Sequence, residues 1–423
     1  MELNKLIRKL CPNGVEYQPL GNLGKFYGGI TGKKKDDFDG GNAKFITYKN
    51  VYSNPALDIT PEETVKILPT EKQRTLEYGD VIFTGSSETP DECGFSSVVC
   101  EPLQEQLYLN SFCFFFRFTS PQIVLPHFAK HLFRSSELRH QICKTASGVT
   151  RFNVSKEKMA KIRIPLPPLP VQQEIVRILD NFTELTAELT AELTARRKQY
   201  EHYRDELLTF GDDVEWLSIG KVCDTITDYV AAGSFAEIKK HVKYNSNKDY
   251  AQLIRTTDLK SKFTKADFVY VSESAFNFLK KVNLDRESIV LPNIGNCGEV
   301  YYIDPTMFPN SKNVLGPNAI LVRSASANNK FLSYVFQCPQ FQKQLYKITS
   351  PTGQAKFNKT DLKSLKIPVP RISVQKSIVS ILDRFDTLCN DLTSGLPAEI
   401  AARQKQYEYY RDKLLTFKEL EGE

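Results

Sequence analysis

Apolar positions in this chain follow two different rhythms. From residue 171 onward, Val171, Ile175, Ile178, Phe182, Leu185, Leu189, Leu193, Tyr200, Tyr203 and Leu207 recur at steps of three and four. This spacing predicts one continuous helical stripe with a stutter near Leu193. Charged Glu184, Glu188, Glu192, Arg197 and Lys198 take the other faces. The stripe is preceded by IPLPPLP, which cannot be helical because each proline pushes its predecessor to extended conformations, so the helix starts just after it. Outside such stretches the apolar residues come in short β-branched and aromatic runs broken by Gly, Asn and Pro, which read as strands and turns.

The helical segment occurs twice. IPLPPLPVQQEIVRILDNF (164–182) aligns without a gap on IPVPRISVQKSIVSILDRF (367–385), and ARRKQYEHYRDELLTF (195–210) aligns on ARQKQYEYYRDKLLTF (402–417). The second copy carries Val374, Ile378, Ile381, Phe385, Leu388, Leu392, Ile400, Tyr407, Tyr410 and Leu414 in the same pattern. Its middle has four extra residues, and Gly395 with Pro397 predicts a stop and restart. A helix of about 40 residues would run roughly 60 Å and needs a partner. Two copies in one chain predict antiparallel pairing with each other, an intramolecular coiled coil with an approximate two-fold axis and the intervening domains at its opposite ends.

Those domains differ in most of their sequence but share a plan. GVEYQPLGNL (14–23) parallels DVEWLSIGKV (213–222), KFITYKNV (44–51) parallels QLIRTTDL (252–259), and GDVIFTGSS (79–87) parallels ESIVLPNIGN (287–296). All six read as strands and turns. A helix is expected near residues 125–144 and another near 330–346, and FCFFFRF (112–118) reads as a buried strand. The expected fold is α+β, with two mixed α/β domains joined by two long helices. The boundaries are residues 1–163 for the first domain with its N-terminal helical segment, 164–212 for the central helical region, 213–366 for the second domain and 367–423 for the C-terminal helical region.

Composition narrows the classes. Hydrophobic residues at 41% and charged residues at 25% over 423 positions suit a folded protein of two domains. A formal charge of +6 and a pI near 8.6 permit contact with a polyanion without requiring it. Nine scattered cysteines, with no CxxC pair, argue against a structural metal and for reduced thiols in a cytoplasm. The N-terminus MELNKLIRKLCPNG lacks the apolar core of a signal peptide, and no stretch approaches the ~20 apolar residues that cross a bilayer.

Two unlike domains separated by two copies of one helical module resemble the specificity subunit of type I restriction-modification systems. The resemblance runs the length of the chain and rests mainly on the paired IPLPPLPVQQEIVRILD and IPVPRISVQKSIVSILD segments, the paired KQYE/YRD/LLTF endings and LIRKLCPNGVEYQPLG. It implies target recognition domains that each read one half of a split, asymmetric site in double-stranded DNA. It implies helical regions that set the spacing and bind two modification subunits, which methylate adenine. Restriction subunits then join. S-adenosylmethionine, ATP and Mg are expected on those partners, and neither a cofactor nor a membrane contact is expected of this chain.

TELTAELTAELTA (183–195) repeats a tetrapeptide whose Leu185, Leu189 and Leu193 would keep the buried stripe. A plain amphipathic helix explains it, since Ala, Glu and Leu are strong helix formers. The resemblance adds a second reading, a cassette that adjusts length. Leu185, Leu189, Leu193, Tyr200, Tyr203, Tyr407 and Tyr410 are the expected spacer and subunit-binding positions.

Base reading needs side chains at groove edges, with cations on phosphates setting position. In the first domain GGITGKKKDD offers Lys33, Lys34 and Lys35, ITYKN offers Tyr48, Lys49 and Asn50, and TGSSE offers Ser86, Ser87 and Glu88. A solvated charged turn is the plainer explanation for the lysines. The second domain offers Arg255, Thr256, Thr257 and Asp258, then Asn293, Asn296 and Lys312. ASGVTRFN (146–153) and SPTGQAKFN (350–358) place Arg151 and Lys356 beside a glycine, Gly148 or Gly353, where a cation would meet the backbone of DNA.

No catalytic set stands out. A methyltransferase would need Asn/Asp-Pro-Pro-aromatic, whereas Asn54-Pro55-Ala56 and Asp304-Pro305-Thr306 lack the second proline and the aromatic. Walker-type GxxxxGK[ST] is missing. Pro90-Asp91 and Asp258-Leu259-Lys260 lie in different domains and do not make a nuclease motif. His127 and His131, at i and i+4 without HExxH, read as surface or packing residues. The alternative to DNA recognition is a non-catalytic coiled-coil scaffold with two protein-binding domains.

Overall fold

A computed structural model describes residues 2–211, 213–265, 267–350, 353–391 and 394–420. The chain divides into two compact units, Met1–Ala191 with Ala398–Glu423, and Glu192–Pro397. Both are α+β.

In unit 1 a four-stranded antiparallel sheet takes the order Gly24–Gly28, Cys113–Phe118, Val81–Thr84, Ser96–Val98. A second sheet holds Thr64–Val65, Ala43–Ile46 and Leu107–Leu109, the last pair parallel. Unit 2 repeats this topology with Thr225–Asp228, Ala319–Arg323, Ser288–Pro292 and Tyr301–Ile303 in one sheet, and Val269–Val271, Ala251–Ile254 and Asn313–Leu315 in the other, again with the last pair parallel.

The aromatic run is a buried strand from Cys113, and its lack of alternation has a cause. Phe114, Phe116 and Phe118 enter one core while Cys113 and Phe115 enter another, so both faces are covered. In unit 2, Ile320 and Val322 face one core and Ala319 and Leu321 the other. Phe112, at the head of the run, precedes the strand and is 58% exposed.

Four expectations need correction. The helix expected at 125–144 is two, Pro126–Leu132 and Ser136–Thr145, and that at 330–346 is Asn329–Gln337 and Pro339–Ile348. Pro339 lacks the N–H that would continue the earlier helix. The KFITYKNV strand ends at Ile46, because the Thr47 side chain accepts from the Asn50 N–H and caps a helix at Tyr48–Ser53. Likewise QLIRTTDL turns helical at Thr256–Lys260, where Asp258 accepts from the Arg255 N–H.

The first helical copy is one helix, Leu169–Leu207, of 39 residues. The second is broken into Ile372–Asn390 and Leu396–Leu414. Gly395 sits in the break, where a Cβ would stand 2.4 Å from the Thr387 carbonyl oxygen. Leu392, expected on the stripe, lies outside the described residues.

Each unit pairs the beginning of one copy with the end of the other. In unit 1, Val171, Ile175 and Leu179 share a core with Tyr407 and Leu415. In unit 2, Ile378 and Leu382 share one with Tyr200 and Leu208. There the Arg197 guanidinium donates to the Cys389 carbonyl (3.4 Å), while Tyr203 meets Phe385. Partner numbers fall as those on the long helix rise, so the pairing is antiparallel.

The proline-rich segments have a shared purpose that the buried glutamine after them reveals. Gln172 Nε2 donates to the carbonyls of Pro167 and Ile123 (both 2.8 Å), and its Oε1 accepts from the Leu125 N–H (2.9 Å). Gln375 does the same with the Pro370 carbonyl (2.8 Å) and the Asn328 N–H (2.9 Å). Each glutamine clamps the start of its own helical copy to the head of a packed helix, with its own polar atoms satisfied. Asp180 accepts from Lys130 and pairs with His131, and its counterpart Asp383 pairs with Lys330 and accepts from Tyr334.

The TAEL leucines depart from expectation. Leu185 is exposed, Leu189 and Leu193 are half-buried, and none joins a core cluster. Thr186 and Thr190 donate to the carbonyls four residues back, at Phe182 and Thr186. The stretch is held by its own helix rather than by apolar burial within its unit.

Candidate nucleic-acid interface

In unit 1, Ser86–Ser87 pairs with Phe152–Val154, whose other edge carries Ala146–Ser147. This small sheet draws together segments 65 residues apart. The turn from Ala146–Ser147 into the central strand needs Gly148, which has φ +153° and lies where a Cβ would stand 2.0 Å from the Arg151 carbonyl oxygen.

The result is a cleft of about 480 Å³ lined by Tyr48, Ser86, Ser87, Glu88, Phe112 and Arg151, with Glu92 and Thr150. Arg151 Nε donates to Ser86 Oγ (3.2 Å), and the guanidinium carbon lies 5.5 Å from the centre of the exposed Phe112 ring. The Tyr48 hydroxyl donates to the Ser86 carbonyl (2.9 Å), and burial raises its pKa. Glu92 accepts from Tyr52, Thr89 and Ser87, and these hydrogen bonds, that from Tyr52 above all, hold its carboxyl below the usual range.

The loop that bears Glu88 and Glu92 is fixed from behind. Arg139 donates to the carbonyls of Asp91 and Cys93, and Arg134 to those of Val51, Tyr52 and Ser96. Both guanidiniums approach the Phe95 ring, at 4.3 and 4.7 Å from its centre. Burial pushes Arg134 down to about 10, so it still carries its charge at neutral pH.

Not every expected contact residue is available. The Lys33 side chain is only 6% exposed, paired with Glu71 and bonded to the Lys66 carbonyl. Asn50 spends its amide on Asp58 and Asn54. Lys34, Lys35 and Lys49 are exposed.

Unit 2 sets matching positions in different chemistry. The Asn293 N–H donates to the Asn318 carbonyl (3.1 Å), as the Gly85 N–H does to Phe112 (2.8 Å), so the two crossings share a register. Lys356 corresponds to Arg151 in the aligned motifs; its backbone bridges to Ile294 and Ser350, and it is exposed. Gly353, with φ +69°, matches Gly148. Pro351 and Thr352 of the same motif lie outside the described residues.

Above this crossing lies a pocket of about 460 Å³, mostly apolar, whose walls include Tyr229, Phe235, Ile238, Val242 and Tyr244, with Lys239 and Asn293 among its polar residues. The helix Phe235–His241 forms one wall, capped by a reciprocal Ser234–Glu237 pair. Asn293 also donates its side-chain amide to the Phe357 carbonyl (3.2 Å).

Arg255 does not reach this pocket's lining. Its guanidinium grips Asp258 (2.7 and 3.1 Å) and the Asp267 carbonyl (2.8 Å), and the bond to Asp258 raises its pKa. Thr256 is half-buried on the short helix that begins there, while Thr257 and Asn296 are exposed. The Lys312 ammonium lies 3.9 Å from the centre of the Tyr250 ring.

The two tyrosines at each helical ending divide their roles. Tyr200 and Tyr407 are each 8% exposed and belong to the cores, whereas Tyr203 and Tyr410 are exposed, Tyr410 stacked on Phe182 and Tyr203 tilted against Phe385. His131 is buried between the Tyr407 hydroxyl (2.9 Å) and Asp180 (2.7 Å), a packing role. No group of three His, Cys, Asp or Glu that could hold a metal occurs among the described residues, and none of the described helices is long and apolar enough to cross a membrane.

Sequence reasoning missed Phe112, Glu92 and Thr150 in unit 1 and the whole aromatic pocket in unit 2. FAEIKKHVKY (235–244), with aromatics interleaved with cations, was the available signal for the latter.

Two matching crossings, each lined by a different side-chain set, stand on one repeated topology. The chain belongs to the family described as type I restriction modification DNA specificity domain, which matches it twice, over residues 12–199 and 211–402. It is 35% identical over 283 residues to the EcoR124I/EcoR124II type I restriction enzyme specificity subunit of Escherichia coli, a match covering 62% of this chain and 65% of that protein. A putative type I restriction enzyme specificity subunit of Haemophilus influenzae is 34% identical over 283 residues, covering 64% and 68%. A chain from a structural study of assembly and conformational transition in the type I R-M system shares the fold, with a TM-score of 0.60 at 17% identity over 96% of this chain and 98% of its own.

Proposed function

We propose that this chain is the non-catalytic, cytoplasmic specificity subunit of a type I restriction-modification complex. Residues 1–163 and 213–366 act as target recognition domains, each reading one half of a bipartite, asymmetric site in double-stranded DNA. The helical regions at 164–212 and 367–423 set the spacing and carry two modification subunits, which methylate adenine with S-adenosylmethionine. Restriction subunits, with ATP and Mg, add cleavage.

The observation that carries this reading is the pairing of one topology with two chemistries. Tyr48, Ser86, Ser87, Glu88 and Arg151 line the crossing in unit 1, and an aromatic pocket rimmed by Lys239 and Asn293 lines that in unit 2. Unlike readers on a repeated frame suit unlike half-sites. Within the cleft of unit 1, Arg151 matches guanine O6 and N7 and the Glu88 carboxylate matches the cytosine amino group. Lys34, Lys35 and Lys49 in unit 1, and Lys356 in unit 2, are the proposed phosphate contacts.

Single-molecule sequencing of methylated adenines in the source genome, with and without the gene, tests the proposal. Loss of one bipartite methylation motif on deletion is expected, and an unchanged methylome overturns it.

A further inference from the structure

The pocket of unit 2 is built for more than contact with the edge of a paired base. Its volume, about 460 Å³, falls in the range of pockets that enclose small molecules. A thymine methyl met in the groove needs only one apolar surface. Here Phe235 and Tyr244 stand 79% and 53% exposed around an apolar cavity, an arrangement that leaves ring faces in water. Phe235 opens a capped helix, so its backbone is fixed before any ligand arrives.

Charge selects the ligand class. Lys239 lines the pocket, and the carboxylate in the lining, Asp228, is paired with Lys359 (2.7 Å), while Glu237 is held by the Ser234 N–H (2.9 Å) and hydroxyl (3.0 Å). An apolar, ring-lined cavity with one lysine at its rim and its carboxylate already paired matches a nucleotide, whose base is flat and whose phosphate is anionic.

We propose that this pocket receives the ring of one nucleobase turned out of the stack in the half-site read by unit 2, with Phe235 and Tyr244 as its stacking faces and Lys239 at the adjoining phosphate. The inference rests on the DNA-reading function proposed above. Unstacking has a cost that depends on the step being opened, so the pocket adds sequence preference without hydrogen-bonding an edge, favouring flexible pyrimidine–purine steps.

The test uses the full chain assembled with its modification subunits, on duplexes bearing its methylation motif. Each nucleotide of the half-site assigned to unit 2 is replaced in turn by an abasic residue, for wild type and for Phe235→Ala/Tyr244→Ala. At one position base removal should weaken wild-type binding by about 10- to 100-fold and leave the variant's affinity unchanged. A fluorescent base analogue there should brighten on binding wild type and stay quenched with the variant. Phe235→Leu, which keeps apolar volume but removes the ring, should share the loss. The half-site of unit 1 should respond identically in all three proteins.

Additive effects at every position, or quenched analogues throughout with binding intact, overturn the base pocket while leaving DNA reading in place. Failure of wild type to bind any motif duplex overturns both.

Discussion

Tyr410 stacks on Phe182 with ring centroids 5.3 Å apart and planes 20° from parallel. The internal alignment turns Phe182 into Phe385 and Tyr410 into Tyr203, and those two rings also meet, at 5.6 Å. One contact thus occurs twice, each time between opposite ends of the two copies. Phe182→Ala should destabilise unit 1 by about 1–3 kcal/mol, since the ring is half-buried and loses both area and stacking. Hydrogen exchange should show faster opening of Leu396–Leu414, while Phe385→Ala should do the same to the end of Leu169–Leu207. Unchanged protection would remove the pairing as a source of stability.

Gln172 makes a sharper prediction because it is fully buried and fully bonded. Gln172→Leu keeps its bulk but leaves the Ile123 and Pro167 carbonyls and the Leu125 N–H without their partner. Each orphaned group costs about 1–3 kcal/mol, so a loss of roughly 3 kcal/mol or more in urea unfolding is expected. Gln375→Leu should behave alike. A shift below about 0.5 kcal/mol would mean that the clamp is dispensable.

Acid should loosen unit 1 through His131. Burial holds its imidazole pKa below the ordinary value, against the opposing effect of Asp180, with the Lys130 and His127 charges nearby also lowering it. The unfolded chain therefore takes up a proton below about pH 6.5 that the folded one resists, and stability falls as pH drops through that window. Burial of Asp180 works against its ionisation, but the His127 imidazole 3.6 Å away and hydrogen bonds with His131 and Lys130 outweigh it and hold the carboxyl well below the usual range. Its stabilisation is present above the unfolded carboxylate value and disappears at lower pH, so the signs agree. Thermal melts should show His131→Asn to be less stable at pH 8 and flatter than wild type between pH 7 and 5. An identical slope would exclude His131 as the titrating group.

How much of this was readable beforehand depends on what each feature is made of. The repeated helices were legible because a stripe at 3.6-residue spacing is local, and so was the break, since Gly395 and Pro397 stop a helix by themselves. The clefts were not. Ser86 and Arg151 meet only because Phe152–Val154 pairs beside Ser86–Ser87, a register that tertiary packing sets. Phe112 reads as strand because five aromatics share its run, yet the chain turns just before Cys113 and leaves it outside. Arg255 reads as a cation for DNA, but Asp258 lies three residues on and the short helix brings them together. Lys33 is similar, covered by Glu71 from a segment that nothing in the sequence links to it.

Arg151 and Lys34 should separate reading from holding. Arg151 lies in the cleft, bonded to Ser86 and above Phe112, so Arg151→Ala should cost about 1–3 kcal/mol and relax the preference at one position of the half-site read by unit 1. Lys34 is exposed at the mouth of a short 3₁₀ turn, so Lys34→Ala should weaken all sequences alike and reduce the salt slope by about 1. Binding titrations at several salt concentrations, on matched and single-substituted duplexes, measure both. If Arg151→Ala weakens every duplex equally, Arg151 is a phosphate contact.

The TAEL segment carries the prediction with the widest reach. Removing one unit shortens the helix by about 6 Å and rotates its C-terminal part by roughly 40° net, because four residues turn about 400°. One DNA base pair turns by roughly 35°, given about 10 to 10.5 pairs per turn. The near match in rotation means that a four-residue change should move the preferred unspecified spacer by about one base pair while both half-sites stay the same. The exposed and half-buried placement of Leu185, Leu189 and Leu193 makes the change tolerable, since none is part of a core that deletion would open. Deleting residues 187–190 should therefore leave the thermal midpoint within a few degrees of wild type. In methylome sequencing the motif should reappear with its spacer one base pair shorter. The same spacer as wild type would mean that the repeat is only a stable helix and that the spacing is set elsewhere.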